Sequence, residues 1–223
     1  MEALGLKEYL KEKGATLVGV GDVSEALTEE IAHLDRGIAI AVNRSLNRTT
    51  VDLLSRLQDL SEGWLRERGF RALAIPPDSD RVSGTFISRL YKLFSHKVAA
   101  TCSGLGWVGK NGLVINSEYG SKLTWATVLT DAPLVVDAPS NASRCGDCDL
   151  CVKHCPSGAI KGRIWSSREP LREMVSYEKC RSLKKDRLLL DGKPNCGLCI
   201  TICPYSRSDR QKAESCGVCV GSR

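Results

Sequence analysis

The stretch CGDCDLCVKHCP, residues 145–156, spaces four cysteines by two, two and three residues and ends on a proline. A loop this tight lets the first three thiolates face one centre, while the fourth, that of Cys155, points the other way. A second stretch, CGLCITICP at 196–204, repeats this spacing without its first cysteine. The chain has 223 residues and eleven cysteines, so we expect its chemistry to depend on thiols.

Both spacings are typical of the bacterial cysteine run that binds [4Fe–4S] clusters, in which the fourth cysteine ligates the other of two clusters. Cys180 lies upstream of the second run and is the candidate for its missing ligand. Pseudo-symmetry between the runs then predicts two crossed ligand sets. One cluster takes Cys145, Cys148, Cys151 and Cys203, and the other takes Cys155, Cys180, Cys196 and Cys199.

Structural zinc is the alternative, because pairs of cysteines separated by two residues are also common zinc ligands. Two runs that each end in Cys-Pro, and eight cysteines that divide into two sets of four, favour the iron–sulfur interpretation. His154 lies inside the first run, but the set of four is complete without it. We therefore expect His154 to face solvent or to support a ligand, and not to bind the metal.

Three cysteines remain outside these sets: Cys102, Cys216 and Cys219. The last two form a single pair separated by two residues in the segment 208–223. This pair is compatible with a redox dithiol, with a metal site completed by another group, or with a mobile tail. A mobile tail is the interpretation that we favour.

Residues 1–136 alternate between helical and strand patterns, which predicts a three-layer α/β domain. The patterns include a helix over 24–34 capped by Ser24, and a longer helix over 50–69 with Thr49 and Asp52 as a capping box. Small and turn-forming residues at 137–144 mark a boundary. The predicted organisation is an α/β domain at 1–136, a two-cluster ferredoxin-like domain at 137–207, and a tail at 208–223.

The N-terminal segment MEALGLKEYLKEKG is charged and amphipathic, unlike a secretory signal peptide. No run of residues approaches the roughly 18 apolar residues of a membrane-spanning helix. We therefore expect a cytoplasmic protein without a membrane partner. The formal net charge is +6 with every cysteine counted as neutral, and bound clusters would lower it.

The segment 96–134, together with CGDCDLCVKHCPSGAI and CGLCITICPYS, resembles epoxyqueuosine reductase, a relative of the reductive dehalogenases. The resemblance implies an α/β domain similar to nitroreductases and to the cobalamin-processing chaperone, followed by a two-cluster ferredoxin-like domain. It also implies that electrons pass from the clusters to a base-off cobalamin. In the family the reduced cobalamin then acts on a modified base at the wobble position of tRNA.

The resemblance extends to a glycine-rich loop, CSGLGWVGKNGLVI at 102–115, and to the turn EYGS that follows it. By this resemblance the cobalamin contacts are Gly104, Gly106, Trp107, Gly109, Lys110, Tyr119, Gly120 and Ser121. Asp78, Asp80 and Tyr119 are the candidates for the catalytic proton donor. The alternative is a glycine-rich turn that packs the two domains together, with Trp107 as an ordinary core residue.

Two functions remain open from the sequence. The first is a cobalamin-dependent reductase, supplied with electrons by a low-potential donor protein. The second is an electron-transfer protein that reduces a corrinoid or another partner without turning over a substrate itself. The chain ends 20 residues after Cys203, without the helical repeats that hold tRNA in the family, so tRNA is the less favoured partner.

A third function, RNA binding, is suggested by scattered basic residues and has little support, because few aromatic residues stand between them. These basic residues are Arg163, Arg168, Arg172, Lys184, Lys185, Arg187, Arg207 and Arg210. We expect them to offset cluster charge or to meet an acidic donor protein.

Overall fold

The computed structural model describes residues 4–77, 93–168, 174–191 and 196–206. The chain divides into two compact units. The first lies within Met1–Gly106 and Leu123–Ser140, and the second lies within Trp107–Lys122 and Asn141–Arg223. The segment Trp107–Lys122, which contains most of the glycine-rich loop, therefore packs with the cysteine-rich part of the chain.

A four-stranded sheet forms the centre of the first unit. Its strands are β1 (Leu17–Asp22), β2 (Arg36–Val42), β3 (Ala72–Ile75) and β6 (Thr124–Thr130), in the order β1-β2-β6-β3. Every neighbouring pair in this sheet is antiparallel. The middle strands β2 and β6 are buried on both faces over most of their length, because helices cover both sides of the sheet.

Three helices of the described residues cover the sheet of the first unit. Helices α1 (Leu4–Glu12) and α2 (Arg48–Arg66) pack on one face, where Leu6, Leu10 and Leu54 meet Ile38 and Val128. The shorter α3 (His96–Cys102) packs on the other face, where Ala99 meets Ala39 and Leu129. Successive residues along each strand point alternately into these two cores. One sheet between two helical layers is the three-layer α/β arrangement that the sequence predicts.

The helix predicted over 24–34 is wrong. Two short 3-10 turns, Ser24–Ala26 and Glu29–Ile31, take its place and are separated by extended backbone. The hydroxyl and the backbone N–H of Ser24 both donate to the carboxylate of Asp22, at 2.7 and 3.0 Å, so the Ser24 hydroxyl does not cap a helix. Both hydrogen bonds lower the pKa of Asp22, and the bond from the Ser24 hydroxyl has the larger effect.

The start of α2 also differs from the prediction. Its N-cap is Asn47, whose side-chain oxygen accepts a 2.9 Å hydrogen bond from the backbone N–H of Thr50. The predicted cap, Thr49, instead donates its hydroxyl to the same oxygen of Asn47 at 2.8 Å. Asparagine is as good a cap as serine or threonine, and it lies two residues earlier in the chain.

Residues 137–140 stay with the first unit and do not begin the second. The carboxylate of Asp137 pairs with the ammonium of Lys7 at 2.6 Å and accepts the backbone N–H of Val20 at 2.8 Å. The backbone N–H of Ser140 donates to the carbonyl of Thr101 at 2.8 Å. These bonds tie residues 137–140 to the first unit. The second unit therefore begins after Ser140, a few residues later than the predicted boundary at 137.

Apart from one helix of 15 residues, the described elements of the second unit are short. A two-stranded antiparallel hairpin, β4 (Trp107–Val108) and β5 (Val114–Ile115), precedes the cysteine-rich segment. Helices α4 (Leu150–Lys153), α5 (Tyr177–Asp191) and α6 (Leu198–Thr201) follow. Within the described residues, no helix combines the length and apolarity needed to cross a bilayer.

Candidate metal centre

The two cysteine runs fold as a structural repeat. When the runs are aligned on their cysteines, α4 begins one residue before Cys151 and α6 begins one residue before Cys199, and both helices have four residues. The two helices pack against each other. A glycine in the left-handed region follows a cysteine in each run, Gly146 with φ 49° and Gly197 with φ 61°. Glycine tolerates this conformation at no steric cost, so each run can turn sharply back on itself.

The thiols fall into two neighbourhoods. Burial and then the nearby thiols of Cys145, Cys203 and Cys148 raise the pKa of Cys151 to about 12. Burial and then the nearby thiols of Cys180, Cys196 and Cys155 raise the pKa of Cys199 to about 11. Apart from a weaker influence of Cys199 on Cys151, these neighbours are the same groups of four that the sequence predicts.

Crowded thiols of this kind need positive charge before they can all ionise, and a bound metal centre supplies it. Among the described residues, no three His, Cys, Asp or Glu side chains form a group placed to hold one metal ion. A cubane is wider than a single ion, because each of its four irons takes one thiolate, and the eight cysteines fit two such clusters in number and chemistry.

Cys155 differs from its neighbours. Burial raises the pKa of its thiol, but hydrogen bonds from the Ser157 hydroxyl and from backbone amides at 157–160 outweigh burial, and the pKa is lowered overall. The sulfur of Cys155 lies 3.5 Å from the hydroxyl oxygen of Ser157. Donors directed at a sulfur stabilise its thiolate form, which is the form that binds iron.

An apolar shell surrounds the cysteines. Its buried members are Trp107, Val108, Ile115, Ala159, Ile160, Trp165, Met174, Val175 and Cys203. Five further cysteines pack against these residues while remaining partly exposed: Cys145, Cys151, Cys155, Cys180 and Cys199. Such surroundings lower the local dielectric constant and limit solvent access, two of the factors that set the potential of an iron–sulfur cluster.

The loop before the cysteine runs is held inside this unit. The side-chain amide of Asn111 donates to the backbone carbonyl of Cys199 at 3.2 Å. The hydroxyl of Ser121 lies 3.0 Å from that of Ser206, and Ser206 also accepts the backbone N–H of Ser121 at 3.0 Å. Trp107 contacts Tyr205 edge to face, with ring centroids 5.0 Å apart.

Several glycines of this loop are required by packing. A Cβ on Gly112 would lie 2.8 Å from the side chain of Val175, and one on Gly120 would lie 2.5 Å from the backbone of Ser206. A Cβ on Gly109 would collide with Ile115. Gly112 and Gly120 also have positive φ angles, 72° and 60°. Contacts within the unit therefore account for glycine at these three positions without a bound ring.

The other predicted cobalamin contacts differ in exposure. Trp107, Lys110 and Ser121 are buried, at 2%, 6% and 6% exposure. Gly106 is buried as well, whereas Gly104 is exposed, has φ 66° and turns its hydrogen toward the carbonyl oxygen of Ala138 within the first unit. These side chains, as the structure describes them, offer little surface to a large flat ligand.

The predicted proton donors are only partly covered by the structure. Asp78 and Asp80 lie outside the described residues. Tyr119 is partly exposed, and a hydrogen bond to the Glu118 carboxylate, followed by burial, raises the pKa of its hydroxyl. A tyrosine hydroxyl is protonated at neutral pH even at its ordinary pKa of about 10, so Tyr119 carries the proton that a donor needs.

His154 and Cys102 are further titratable residues from the sequence analysis that the structure describes. His154 is exposed, and its Nδ1 lies 3.0 Å from the carbonyl oxygen of Leu150. Cys102 is half-buried in the first unit, where burial, then Asp22 and Glu25, raise the pKa of its thiol. Cys216 and Cys219 lie outside the described residues.

Four residues of the centre are absent from the sequence predictions: Asn111, Arg144, Tyr205 and Ser206. The carbonyl of Arg144 accepts the hydroxyl of Tyr205 at 3.2 Å, and the guanidinium of Arg144 lies 5.2 Å from the ring centre of Trp107. The sequence could have indicated three of them, Arg144, Tyr205 and Ser206, because each lies within three residues of a predicted ligand.

Known proteins support this interpretation of the centre. Residues 144–206 match the family described as the 4Fe-4S double cluster binding domain. An epoxyqueuosine reductase of Pseudomonas aeruginosa is 26% identical, over 95% of this chain and 71% of that protein. An epoxyqueuosine reductase of Listeria monocytogenes is 34% identical, over 51% of this chain and 30% of that protein.

Solved structures share the fold. One is an epoxyqueuosine reductase with an epoxyqueuosine-modified tRNA stem loop, which has a TM-score of 0.63 at 20% identity over 91% of this chain and 64% of that one. Another is a reductive dehalogenase described for B12-dependent dehalogenation, with a TM-score of 0.63 at 20% identity over 93% of this chain and 33% of that one.

The matched region is a limited part of several of these proteins, about a third of the Listeria reductase and of the dehalogenase. The double-cluster match, the named relatives and the shared fold agree with the resemblance seen in the cysteine runs and the glycine-rich loop. The chain is therefore a relative of the epoxyqueuosine reductases that shares its fold with them and with the reductive dehalogenases, and it carries a 4Fe-4S double cluster binding domain.

Proposed function

We propose that this protein is an iron–sulfur oxidoreductase that passes low-potential electrons to an acceptor associated with its α/β unit. The observation that carries the proposal is the folded repeat of two cysteine runs inside a region that matches a double-cluster family. When bound, two [4Fe–4S] clusters take up and release single electrons at low potential.

The ligand sets that we propose are crossed. Cys145, Cys148 and Cys151 hold one cluster together with Cys203, and Cys180, Cys196 and Cys199 hold the other together with Cys155. The two thiol neighbourhoods around Cys151 and Cys199 support this assignment. The packing of α4 against α6 also brings the two runs together.

The protein part of the centre holds the ligands and limits access of water. The apolar shell around Trp107 and Met174 covers the cysteines, and Ser157 directs its hydroxyl at the sulfur of Cys155. The hairpin of β4 and β5 is tied to the second run by the bond from Asn111 to Cys199. These contacts fix the ligand loops before iron arrives, which reduces the entropy lost when the clusters assemble.

A cobalamin is the acceptor that we propose, and a small molecule or modified nucleoside is its substrate. The support is the shared fold with a reductive dehalogenase described for B12-dependent dehalogenation. The buried side chains of Trp107, Lys110 and Ser121 do not fit direct contact with a corrin ring, so we assign no step to them. Tyr119, partly exposed and protonated, is the described residue best suited to donate a proton.

The second candidate function is electron transfer to a separate corrinoid or other partner protein. One observation favours it: several predicted cobalamin contacts are buried within the cysteine-rich unit. The helix α5 also carries the exposed basic side chains of Lys179, Arg181 and Lys185 next to the ligand Cys180, and these suit an acidic donor or acceptor protein.

Anaerobic expression with cobalamin supplied, followed by iron, sulfide and cobalt analysis, tests these functions. We expect about eight irons per chain, two clusters of four. Cobalt at one per chain, with a base-off spectrum on titration with cob(II)alamin, would support the reductase. Cobalt-free protein that reduces an added corrinoid protein would favour the carrier, and four irons or stoichiometric zinc would refute both.

Turnover is tested on a stem loop that carries epoxyqueuosine, because relatives are named for its reduction and one neighbour was solved with such a stem loop. We compare the parent protein with Tyr119→Phe and use Tyr177→Phe, which alters an exposed tyrosine elsewhere, as the control. Slower turnover only in Tyr119→Phe, with unchanged iron and cobalamin binding, would support Tyr119 as proton donor.

A further inference from the structure

Among the described residues of the second unit, one buried side-chain polar group has no hydrogen-bond partner. The indole nitrogen Nε1 of Trp107 and the Nε of Arg36 are the two buried side-chain nitrogen or oxygen atoms that lack a hydrogen bond within the described residues. Trp107 itself is 2% exposed. Because indole Nε1–H can only donate, it needs an acceptor that none of the described residues provides.

The position of Trp107 points to the acceptor. Its ring packs in the apolar shell that contains Cys203, and the guanidinium of Arg144, the residue before Cys145, lies 5.2 Å from its ring centre. It contacts Tyr205, two residues after Cys203, and the hydroxyl of Tyr205 donates to the carbonyl of Arg144, the residue before Cys145. Trp107 therefore lies beside the cysteines of the first proposed ligand set.

Sulfur is the acceptor that this surrounding supplies once a cluster is bound. A cubane carries four inorganic sulfides and four thiolates, all of them negatively charged hydrogen-bond acceptors. A buried donor left without any partner loses its hydrogen bonds to water and gains nothing in return, so native proteins rarely keep one. The unpartnered donor in the cluster-free protein thus has a ready partner in the loaded protein.

We propose that the indole N–H of Trp107 donates a hydrogen bond to a sulfur of the cluster held by Cys145, Cys148, Cys151 and Cys203 and raises the reduction potential of that cluster. The inference rests on the proposed function, because it requires the clusters to be present. It assigns to Trp107 a positioning and tuning role, in place of contact with a corrin ring.

The direction of the effect follows from charge. Reduction adds one electron to the cluster and makes its sulfurs more negative, while the proton stays on the indole nitrogen. A donor directed at those sulfurs stabilises the reduced state more than the oxidised state, which raises the potential. Removal of the donor should therefore make the cluster harder to reduce and leave the other cluster unchanged.

The test compares Trp107→Phe with Trp165→Phe in the reconstituted, full-length protein. Trp165 is a matched control, because it is 4% exposed and packs in the same apolar shell, but its nitrogen is not among the buried groups without a partner. Each protein is titrated with a chemical reductant such as titanium(III) citrate, and paramagnetic resonance reports the reduction of each cluster.

We expect Trp107→Phe to lower the reduction equilibrium constant of one cluster about tenfold, a shift of about 59 mV to more negative potential for a one-electron couple. Trp165→Phe should leave both potentials unchanged. Equal shifts in the two variants, or no shift in either, would overturn the proposal while leaving the eight-iron centre intact.

A second measurement does not depend on a variant that folds. Parent protein is labelled with tryptophan carrying ¹⁵N in the indole ring, and the reduced cluster is examined by pulsed paramagnetic resonance. We expect a ¹⁵N coupling in the parent protein and in Trp165→Phe, and none in Trp107→Phe. Absence of the coupling in a parent protein with eight irons overturns this inference alone, whereas a protein without iron overturns the proposed function as well.

Discussion

The side chain of Asn111 joins two segments of the second unit that lie far apart in sequence. Its amide nitrogen donates to the backbone carbonyl of Cys199 at 3.2 Å, and its amide oxygen accepts the backbone N–H of Leu113 at 3.1 Å. A single residue thus supports the turn of the β4–β5 hairpin and the second cysteine run together. Each of its two bonds uses a different atom of the amide, so they can be tested separately.

Asn111→Asp should weaken the second run, because aspartate keeps the acceptor to Leu113 but loses the donor to Cys199. The lost bond is worth about 1 kcal/mol, roughly fivefold in an equilibrium constant. We expect iron to be lost about fivefold faster to a chelator under anaerobic conditions. Asn116→Asp is the control, since Asn116 uses its side-chain oxygen in a neighbouring turn and aspartate preserves that acceptor. Equal rates in both variants would contradict the prediction.

Crossed ligation predicts different damage from two serine variants. Cys203→Ser should disturb the cluster held mainly by the first run, and Cys155→Ser should disturb the one held mainly by the second. Paramagnetic resonance of each variant, after anaerobic reconstitution, should show a different cluster altered. If each variant instead altered the cluster of its own run, the crossed assignment would be wrong.

Lys110 should raise cluster potential through its charge. It is 6% exposed and has no ion-pair partner among the described residues, although a buried ammonium needs a compensating negative charge. A unit charge about 8 Å away at an effective dielectric constant of 20 contributes roughly 2 kcal/mol. Lys110→Gln should therefore shift at least one cluster to more negative potential. Lys122→Gln, which alters an exposed lysine of the same segment, should change neither.

Alkaline pH should destabilise the cluster-free protein. The folded protein keeps protons on Cys151 and Cys199 up to pH values of about 12 and 11, because their pKa values are raised by burial and by neighbouring thiols. The unfolded chain releases them near its ordinary thiol pKa of about 8.5. Between these values the unfolded state binds fewer protons, so the free energy of unfolding decreases as pH rises.

The corresponding measurement is the melting temperature of cluster-free protein between pH 8 and 11, compared with the double variant Cys151→Ser, Cys199→Ser. The parent should lose more stability than the double variant over this range, because serine does not titrate there. A parallel decline in both proteins would show that other groups dominate.

The C-terminal cysteines should be dispensable for both clusters, because eight ligands are already available without Cys216 and Cys219. Truncation after Gln211 should leave about eight irons per chain. Cys216→Ser with Cys219→Ser in the full chain serves as the companion variant. Loss of iron in both would assign a ligand or a further metal site to the tail.

The sequence by itself determined the features that depend on local spacing. Cysteines at intervals of two and three residues predicted two ligand runs for a pair of [4Fe–4S] clusters, and the match to the double-cluster family agrees with this prediction. The alternation of helical and strand patterns likewise predicted the α/β layers of residues 1–136, including the long helix α2. These patterns are readable because the geometry of a turn, a helix or a strand depends on residues close together in the chain.

Only the tertiary structure decided which distant segments meet. It placed Trp107–Lys122 with the cysteine-rich unit, held Asp137 against Lys7, and gave the cap of α2 to Asn47. From the sequence alone, the glycines at 109, 112 and 120 are equally compatible with contacts to a flat ligand and with close packing inside the protein. The neighbours that require glycine at the last two positions, Val175 and Ser206, lie at least 60 residues away in the chain, so no local pattern could identify them.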